Sequence, residues 1–257
     1  VKTIERHALY EAAVQDAPQE SRFLSRLARR ELGREVRSLR EDFCGTFWLG
    51  HEWAKLSPKN TAFGFDLDAR ALAWGMQRHD DPAIHGRVQG HLADVRTRTR
   101  TRFDLAVALN FSYFIFKERA DLLEYFRAVR ASLKKPGLLV LDHTGGPEIY
   151  KDERLRRRCR TEDGQVFHYV WEKNSFDPVT HHGHYSIHFE PKGGRRLRDA
   201  FVYDWRIWTL PELADLLKEA GFRRVRVYVE GSDDVFRTNS REWSDFEQWL
   251  AYIVALA

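Results

Sequence analysis

The 257-residue chain predicts an α/β fold: a doubly wound, mostly parallel seven-stranded sheet with an antiparallel β insertion after the fifth strand. Three features carry this expectation. Strand-like and helix-like patterns alternate from about residue 36 to 142, the rhythm of a parallel sheet covered on both faces. Phe103–Leu109 and Leu138–Leu141 are nearly unbroken apolar runs, as strands buried on both faces are. After residue 145 the alternation stops, and strand-like runs follow one another with turn signals at Asp177-Pro178 and Gly193-Gly194.

Each element follows from its local pattern. Residues 4–32 read as helical, with Phe23, Leu24, Leu27, Ala28 and Leu32 on one stripe. A weak strand, Val36–Arg40, runs into Glu41-Asp42-Phe43-Cys44-Gly45-Thr46. A helix is expected over 47–56, a strand over Thr61–Phe65 ending at Asp66, a helix over 69–78, and a strand over Val88–Leu92 ending near Asp94. The helix over 118–134 brings Leu122, Phe126, Val129 and Leu133 into register, and Lys135-Pro136-Gly137 stops it. Strands over 166–173, 183–190 and 199–207 make the insertion. Thr209 and Glu212 form a capping box for the next helix, and Gly221 sits where a C-terminal cap belongs. Phe222–Val229 is a strand. Trp249–Ala255 reads as a last strand returning antiparallel into the sheet, with a terminal helix as the alternative.

With 43% hydrophobic and 31% charged residues, the composition is that of an ordinary soluble globular protein. No apolar run approaches the ~20 residues that span a bilayer, and residues 1–17 lack the apolar core of a signal peptide. Two cysteines, Cys44 and Cys159, make a disulfide framework unexpected and a reducing cytoplasm the simplest compartment. The net charge of +4 permits nucleic acid as a partner without favouring it. The basic run of Arg154, Arg156, Arg157, Arg158 and Arg160 reads as a solvated helix face. His181, His182, His184 and His188, with His168 upstream, lack a second element to converge on, so no metal site is expected.

Such sheets bind ligands at their carboxyl edge, so the strand ends carry the functional reading. Four of them end in polar or small residues: Glu41–Thr46, Asp66–Asp68, Asp94–Val95 and Asn110–Tyr113. Their order and spacing resemble the class I S-adenosylmethionine-dependent methyltransferases. The loop of that family often reads D-x-G-C-G-T-G. Here Cys44-Gly45-Thr46 matches, Glu41 takes the acidic position, and Phe43 and Phe47 replace the outer glycines. The resemblance covers about residues 36–142 and 201–230.

It implies a Rossmann-like methyltransferase with S-adenosyl-L-methionine as cofactor. Glu41, Cys44, Gly45 and Thr46 would meet the cofactor's amino-acid end, Asp66 its ribose, Asp94 and Val95 its adenine, and Asn110 the methyl group and acceptor, with Leu67 a further cofactor contact. Asp68 is the alternative ribose partner. Asn110-Phe111-Ser112-Tyr113 loosely echoes N-P-P-Y, a motif of enzymes that methylate amino groups, without its prolines. Asn110 and Tyr113, with Tyr10 on an N-terminal helix placed to fold over the cofactor, are the candidate catalytic residues. A nicotinamide-binding protein would want three glycines as G-x-G-x-x-G, and this loop has one.

The expected organisation is 1–145, N-terminal helices and the cofactor-binding half; 146–208, the substrate-selecting insertion; and 209–257, completion of the Rossmann-like domain. Tyr169, Trp171 and Arg206 are the expected acceptor contacts in the insertion. The expected partner is a small-molecule methyl acceptor offering nitrogen, oxygen or sulfur. The alternatives are an RNA or protein methyltransferase, or a cofactor-binding protein without activity.

Overall fold

Strands β1 (Ser38–Asp42), β2 (Thr61–Asp66), β3 (Val88–Leu92), β4 (Phe103–Ala108), β5 (Leu133–Gly145), β10 (Arg224–Val229) and β11 (Trp249–Leu256) form one sheet in the order β10-β11-β5-β4-β1-β2-β3. This is a computed structural model, and it describes residues 5–229 and 248–257. β1 pairs in parallel with β2 and β4, β2 with β3, and β4 with β5. β11 runs antiparallel to both β5 and β10. It pairs with β5 at every residue from Trp249 to Leu256, so the last apolar run of the sequence is a strand.

Helices α2 (Ala17–Leu32), α3 (Trp48–Lys55), α4 (Ala69–Arg78), α5 (Arg119–Ser132) and α6 (Leu210–Glu219) belong to the same unit as this sheet. Phe23, Leu24, Leu27 and Ala28 of α2 join Leu49 and Trp53 of α3 in one cluster with Leu39, Leu105, Val107, Leu138 and Val140. Leu24 is completely buried, and burying such a side chain contributes about 1.5–3 kcal/mol. Thr209 caps α6 with a complete capping box, and Gly221 follows its end with φ at +97°.

Three expectations change. The helical stretch over 4–32 breaks into α1 (Arg6–Val14) and α2, and Ile4 lies outside the described residues. Pro18 is the cause: it fits the first turn of α2 but cannot continue a helix from upstream. Second, Lys135-Pro136-Gly137 does not follow a helix to 134. α5 ends at Ser132, and the three residues sit inside β5, where the pairing with β4 shifts between Phe103–Leu133 and Leu105–Leu138. Third, the arginine run is strand β6 (Arg154–Arg160), not a helix. It is an edge strand, and charged side chains are a usual guard on such an edge.

β6 pairs with β7 (Val166–Phe176), β7 with β8 (His182–Pro191), and β8 with β9 (Leu197–Arg206), all antiparallel. This sheet, α1 and residues 114–117 form a second, smaller unit. Its registers align Tyr169, Trp171, Tyr185, Ile187, Phe189, Phe201, Tyr203 and Trp205 on one face. Leu9 and Ala13 of α1 pack in the same cluster as Phe167, Tyr169, Ile187 and Phe189. The first helix thus groups with the insertion. By the same alternation His168, Glu172, His184, His188 and Asp204 take the opposite face. No described helix is long and apolar enough to cross a membrane.

Candidate functional site

The loop after β1 keeps a glycine-like backbone where glycines are missing. Phe43 has φ +57°, Gly45 +53° and Phe47 +59°. For a non-glycine residue the left-handed region costs roughly 1–2 kcal/mol, so packing must hold it. The Phe47 ring is fully buried. A Cβ on Gly64 would lie 2.6 Å from that ring, and one on Gly50 only 2.0 Å from it. Glycines in β2 and α3 therefore make room for the ring. A Cβ on Gly75 would meet the Thr46 carbonyl at 1.8 Å, so glycine also lets α4 pack directly on the loop backbone.

Cys44 is buried, and burial pushes its thiol pKa up, which keeps it protonated. It is a packing residue, donating its N–H to the Phe65 carbonyl. Phe47, the residue before α3, offers that helix no side-chain cap. Glu41 supplies one instead: its Oε2 accepts from the Gly50 N–H at 2.9 Å. Burial, and then the neighbouring charges of Glu20, Asp66 and Asp42, raise its pKa well above the ordinary value.

Asp66 accepts from the Gly45 N–H at 2.7 Å through Oδ2 and from the Asp68 N–H at 2.8 Å through Oδ1. It binds the end of β2 to the loop after β1. Asp68 is committed elsewhere, capping α4 by accepting from the N–H groups of Arg70 and Ala71. Leu67 between them is 71% exposed, an apolar side chain offered to solvent beside a carboxylate. Asp94 accepts from the Arg96 backbone and guanidinium, with 2.7 Å to both its N and Nη2. The Arg96 side chain lowers its pKa.

The loop after β4 is also left-handed, with Asn110 at φ +58° and Phe111 at +56°. Their amides donate to the two oxygens of Asp142, at 2.7 and 2.9 Å. Four of the six described non-glycine residues with positive φ thus lie in the loops after two adjacent central strands, β1 and β4. Burial pushes the Asp142 carboxyl up to about 7, against the two backbone donors, and the charge of Glu20 adds to the rise.

Tyr113 is completely buried. Its hydroxyl lies 2.8 Å from His143 Nδ1 and 3.1 Å from the Asp142 carbonyl. Burial depresses the His143 pKa to about 3, so the imidazole is neutral. The hydroxyl of Tyr113 therefore acts inside the protein on the element that carries Asp142.

In the smaller unit, Tyr10 lies 4.8 Å from Phe201. Trp171 stacks on Tyr185 at 5.2 Å, and Tyr169 is buried with Arg157 over its ring at 5.5 Å. Arg206 lies over Trp208 at 3.7 Å and donates to the Lys117 carbonyl. Strand alternation puts Arg206 on the face opposite Trp171 and Tyr169, so the three expected acceptor contacts do not converge on one surface. The histidines also separate. His188 is buried between Glu172 and the Asp199 amide, whereas His184 is exposed. Among the described residues no group of three or more His, Cys, Asp and Glu is arranged for a metal.

Sequence reasoning missed Asp142 and Glu20. Asp142 had a signal, as a strand-end acid like Asp66 and Asp94. Glu20 had none, because it comes to the edge from a helix.

The architecture is that of a methyltransferase fold. Among solved structures, it is similar to an amino pentose methyltransferase from Micromonospora echinaspora involved in calicheamicin biosynthesis, with SAM bound. The TM-score is 0.71 at 19% identity, over 100% of this chain and 98% of that one. A sugar N-methyltransferase from Streptoalloteichus sp. gives 0.70 at 18%, over 100% and 94%. An S-adenosylmethionine-dependent methyltransferase from Clostridium acetobutylicum gives 0.69 at 17%, over 95% of each chain. No family model and no curated protein matches the sequence.

Proposed function

We propose that this chain is an S-adenosylmethionine-dependent methyltransferase acting on a nucleophile of a small molecule. The observation that carries the reading is the pair of left-handed loops after β1 and β4, each tied to a strand-end acid: Gly45 to Asp66, and Asn110 with Phe111 to Asp142. Strain held at one sheet edge by such contacts is a mark of a functional site.

The donor set fits this cofactor. Burial and then the charges of Glu20, Asp66 and Asp42 raise the Glu41 carboxyl, and burial and then Glu20 raise that of Asp142. Such a cluster suits a ligand carrying an ammonium and a sulfonium, and it opposes a pyrophosphate. When bound, the cofactor supplies an electrophilic methyl group on a cationic sulfur. Gly45, Cys44 and Thr46 would shape the backbone against its amino-acid end, and Glu41 would bind its ammonium group. Asp66 would bind the ribose hydroxyls and Leu67 would cover the base. Asp94 and Val95 would read the adenine edge.

Asn110 orients the acceptor in this reading, and Tyr113 holds Asp142 and its loop in place. Alignment of this kind contributes up to ~7–11 kcal/mol in favourable cases. Tyr10, Tyr169, Trp171 and Arg206 belong to the unit that selects the acceptor. The similar structures named for amino pentose and sugar nitrogen favour an amine among the acceptor atoms. Arg154 and Arg156 are paired with Glu172 and Glu190, which argues against a phosphate-binding strand. Calorimetry with S-adenosylmethionine and S-adenosylhomocysteine, followed by labelled methyl transfer to a panel of small amines, tests the proposal. Absence of binding to both, with binding of a nicotinamide nucleotide, overturns it.

A further inference from the structure

Arg40 places a charge in the middle of the sheet. It is in β1, between β2 and β4, and is 0% exposed. Nε donates to Asp42 Oδ1 at 2.8 Å, and Asp42 Oδ2 accepts from the Tyr125 hydroxyl at 3.0 Å. The guanidinium lies 4.5 Å from the Phe65 ring centroid. Nη2 donates to the main-chain carbonyl of Val95, and Nη1 has no partner among the described residues.

Stability does not explain this arrangement. Desolvating an ion pair usually offsets its attraction, and apolar residues of similar size serve a central strand as well or better. Here one donor is also left unsatisfied. What the guanidinium does achieve is a bridge. It joins the rigid centre of β1 to the segment just after β3, an edge strand. That segment is otherwise shaped by its own turn, in which Thr97 N–H donates to the Asp94 carbonyl at 2.8 Å and Asp94 faces Arg96.

We propose that Arg40 is a positioning residue for purine recognition: by holding the Val95 carbonyl from inside the sheet, it fixes the Val95–Arg96 peptide, whose Arg96 N–H donates to Asp94, and so sets the Asp94 carboxylate and the adjoining Val95 N–H for the edge of adenine. The inference rests on the function proposed above. Arg40 touches no ligand; it acts through Val95. Its removal should therefore blunt discrimination at the purine, beyond weakening affinity.

The test compares S-adenosylhomocysteine with S-inosylhomocysteine, which carries an oxo group in place of the adenine amino group. Wild type should prefer the adenine compound by at least about tenfold, a gap that one lost hydrogen bond can produce. The variant is Arg40→Met with Asp42→Asn, which removes both buried charges and leaves an acceptor for Tyr125. It should fold, bind S-adenosylhomocysteine at least about tenfold more weakly, and lose most of the preference. An unchanged ratio between the two compounds, with or without a uniform loss of affinity, overturns the role of Arg40. If the double variant does not fold, Arg40→Lys keeps the charge beside Asp42 but lacks the second arm, and the same ratio decides. Wild type that binds neither compound overturns the proposed function itself, a separate result.

Discussion

The ring of Phe47 occupies the space that any side chain at Gly64 would need, with ring Cδ2 2.6 Å from the position of a Cβ there. The pair is a coupled unit: a left-handed phenylalanine in a loop, and a glycine in the next strand that admits its ring. Gly64→Ala should therefore cost about 1–3 kcal/mol through overpacking. In a Phe47→Gly background the ring is gone and the cost should fall, leaving the Cys44 Sγ, 2.8 Å from the Cβ position, as the remaining clash. Urea melts of the two single variants and the double variant measure the coupling, expected at about 1 kcal/mol or more. Additive effects would show that the ring and strand do not constrain each other.

Asp66 and Asp68 should separate cleanly. Asp66→Ala should weaken S-adenosylmethionine binding by roughly tenfold or more, because in the proposed site its carboxylate meets the ribose. Asp68→Ala should leave binding alone and cost about 0.5–2 kcal/mol of stability, since its side chain caps α4. Calorimetric titration and thermal melts on the same samples check both. The opposite pattern would move the ribose partner to Asp68.

The Asp142 carboxyl, raised by burial from 3.8 to about 7, binds a proton in the folded chain across a range where the unfolded chain has released it. Its contribution to stability is therefore greatest below about pH 4 and is lost as pH rises toward 7. Asp142→Asn should flatten stability between these pH values. A cationic cofactor favours the ionised carboxylate, so wild-type binding should tighten as pH rises through 7, and the Asn variant should lose that dependence. Binding that is flat with pH in wild type would remove Asp142 from the site.

Asp104 has the opposite sign. Burial opposes its charge, but the amides of Arg37 and Ser38 and contacts with Lys134 and Arg34 outweigh that and hold its carboxyl far below the ordinary range. Its stabilisation is present above the unfolded carboxylate range near pH 4 and is lost as pH falls through the lower folded value. Asp104→Ala leaves the buried Ser38 donors unpaired and should cost about 1–3 kcal/mol. Denaturation at neutral pH and at pH 3 should show a smaller difference between wild type and variant in acid.

Trp171 packs on Tyr185, Tyr203 and Trp205. Trp171→Ala should impair use of the acceptor while leaving cofactor affinity within about twofold. Turnover, cofactor titration and melting temperature are measured together. Normal acceptor kinetics in a folded variant would confine Trp171 to packing, where its loss costs ~3–5 kcal/mol.

Much of the sheet was legible because period and burial agree. Val88–Leu92 is β3 to the residue, and the capping box at Thr209 and Glu212 opens α6 as read. The strand ends stood out because acids and small residues interrupt apolar runs there. Other features depend on partners far away in the chain. Arg154–Arg160 alternates four arginines with Leu155, Arg157 and Cys159, but its five arginines also fit a solvated helix face, and pairing with β7 decides for the strand. The left-handed Phe43 and Phe47 look like departures from the loop, and only Gly50 and Gly64 explain how they are accommodated. Arg40, the last residue of the expected strand Val36–Arg40, shows its burial only once β1 is found in the centre of the sheet.

β11 follows both β5 and β10 in the chain, yet it lies between them. On the ribosome, β5 must wait with one side bare while residues 146–256 are made, roughly 5–20 seconds at common elongation rates. During that interval Leu138–Leu141 offers an open hydrogen-bonding edge, and β10 emerges with nothing to pair with. The nascent protein is thus most prone to aggregation late in its synthesis, after most of the sheet is already in place.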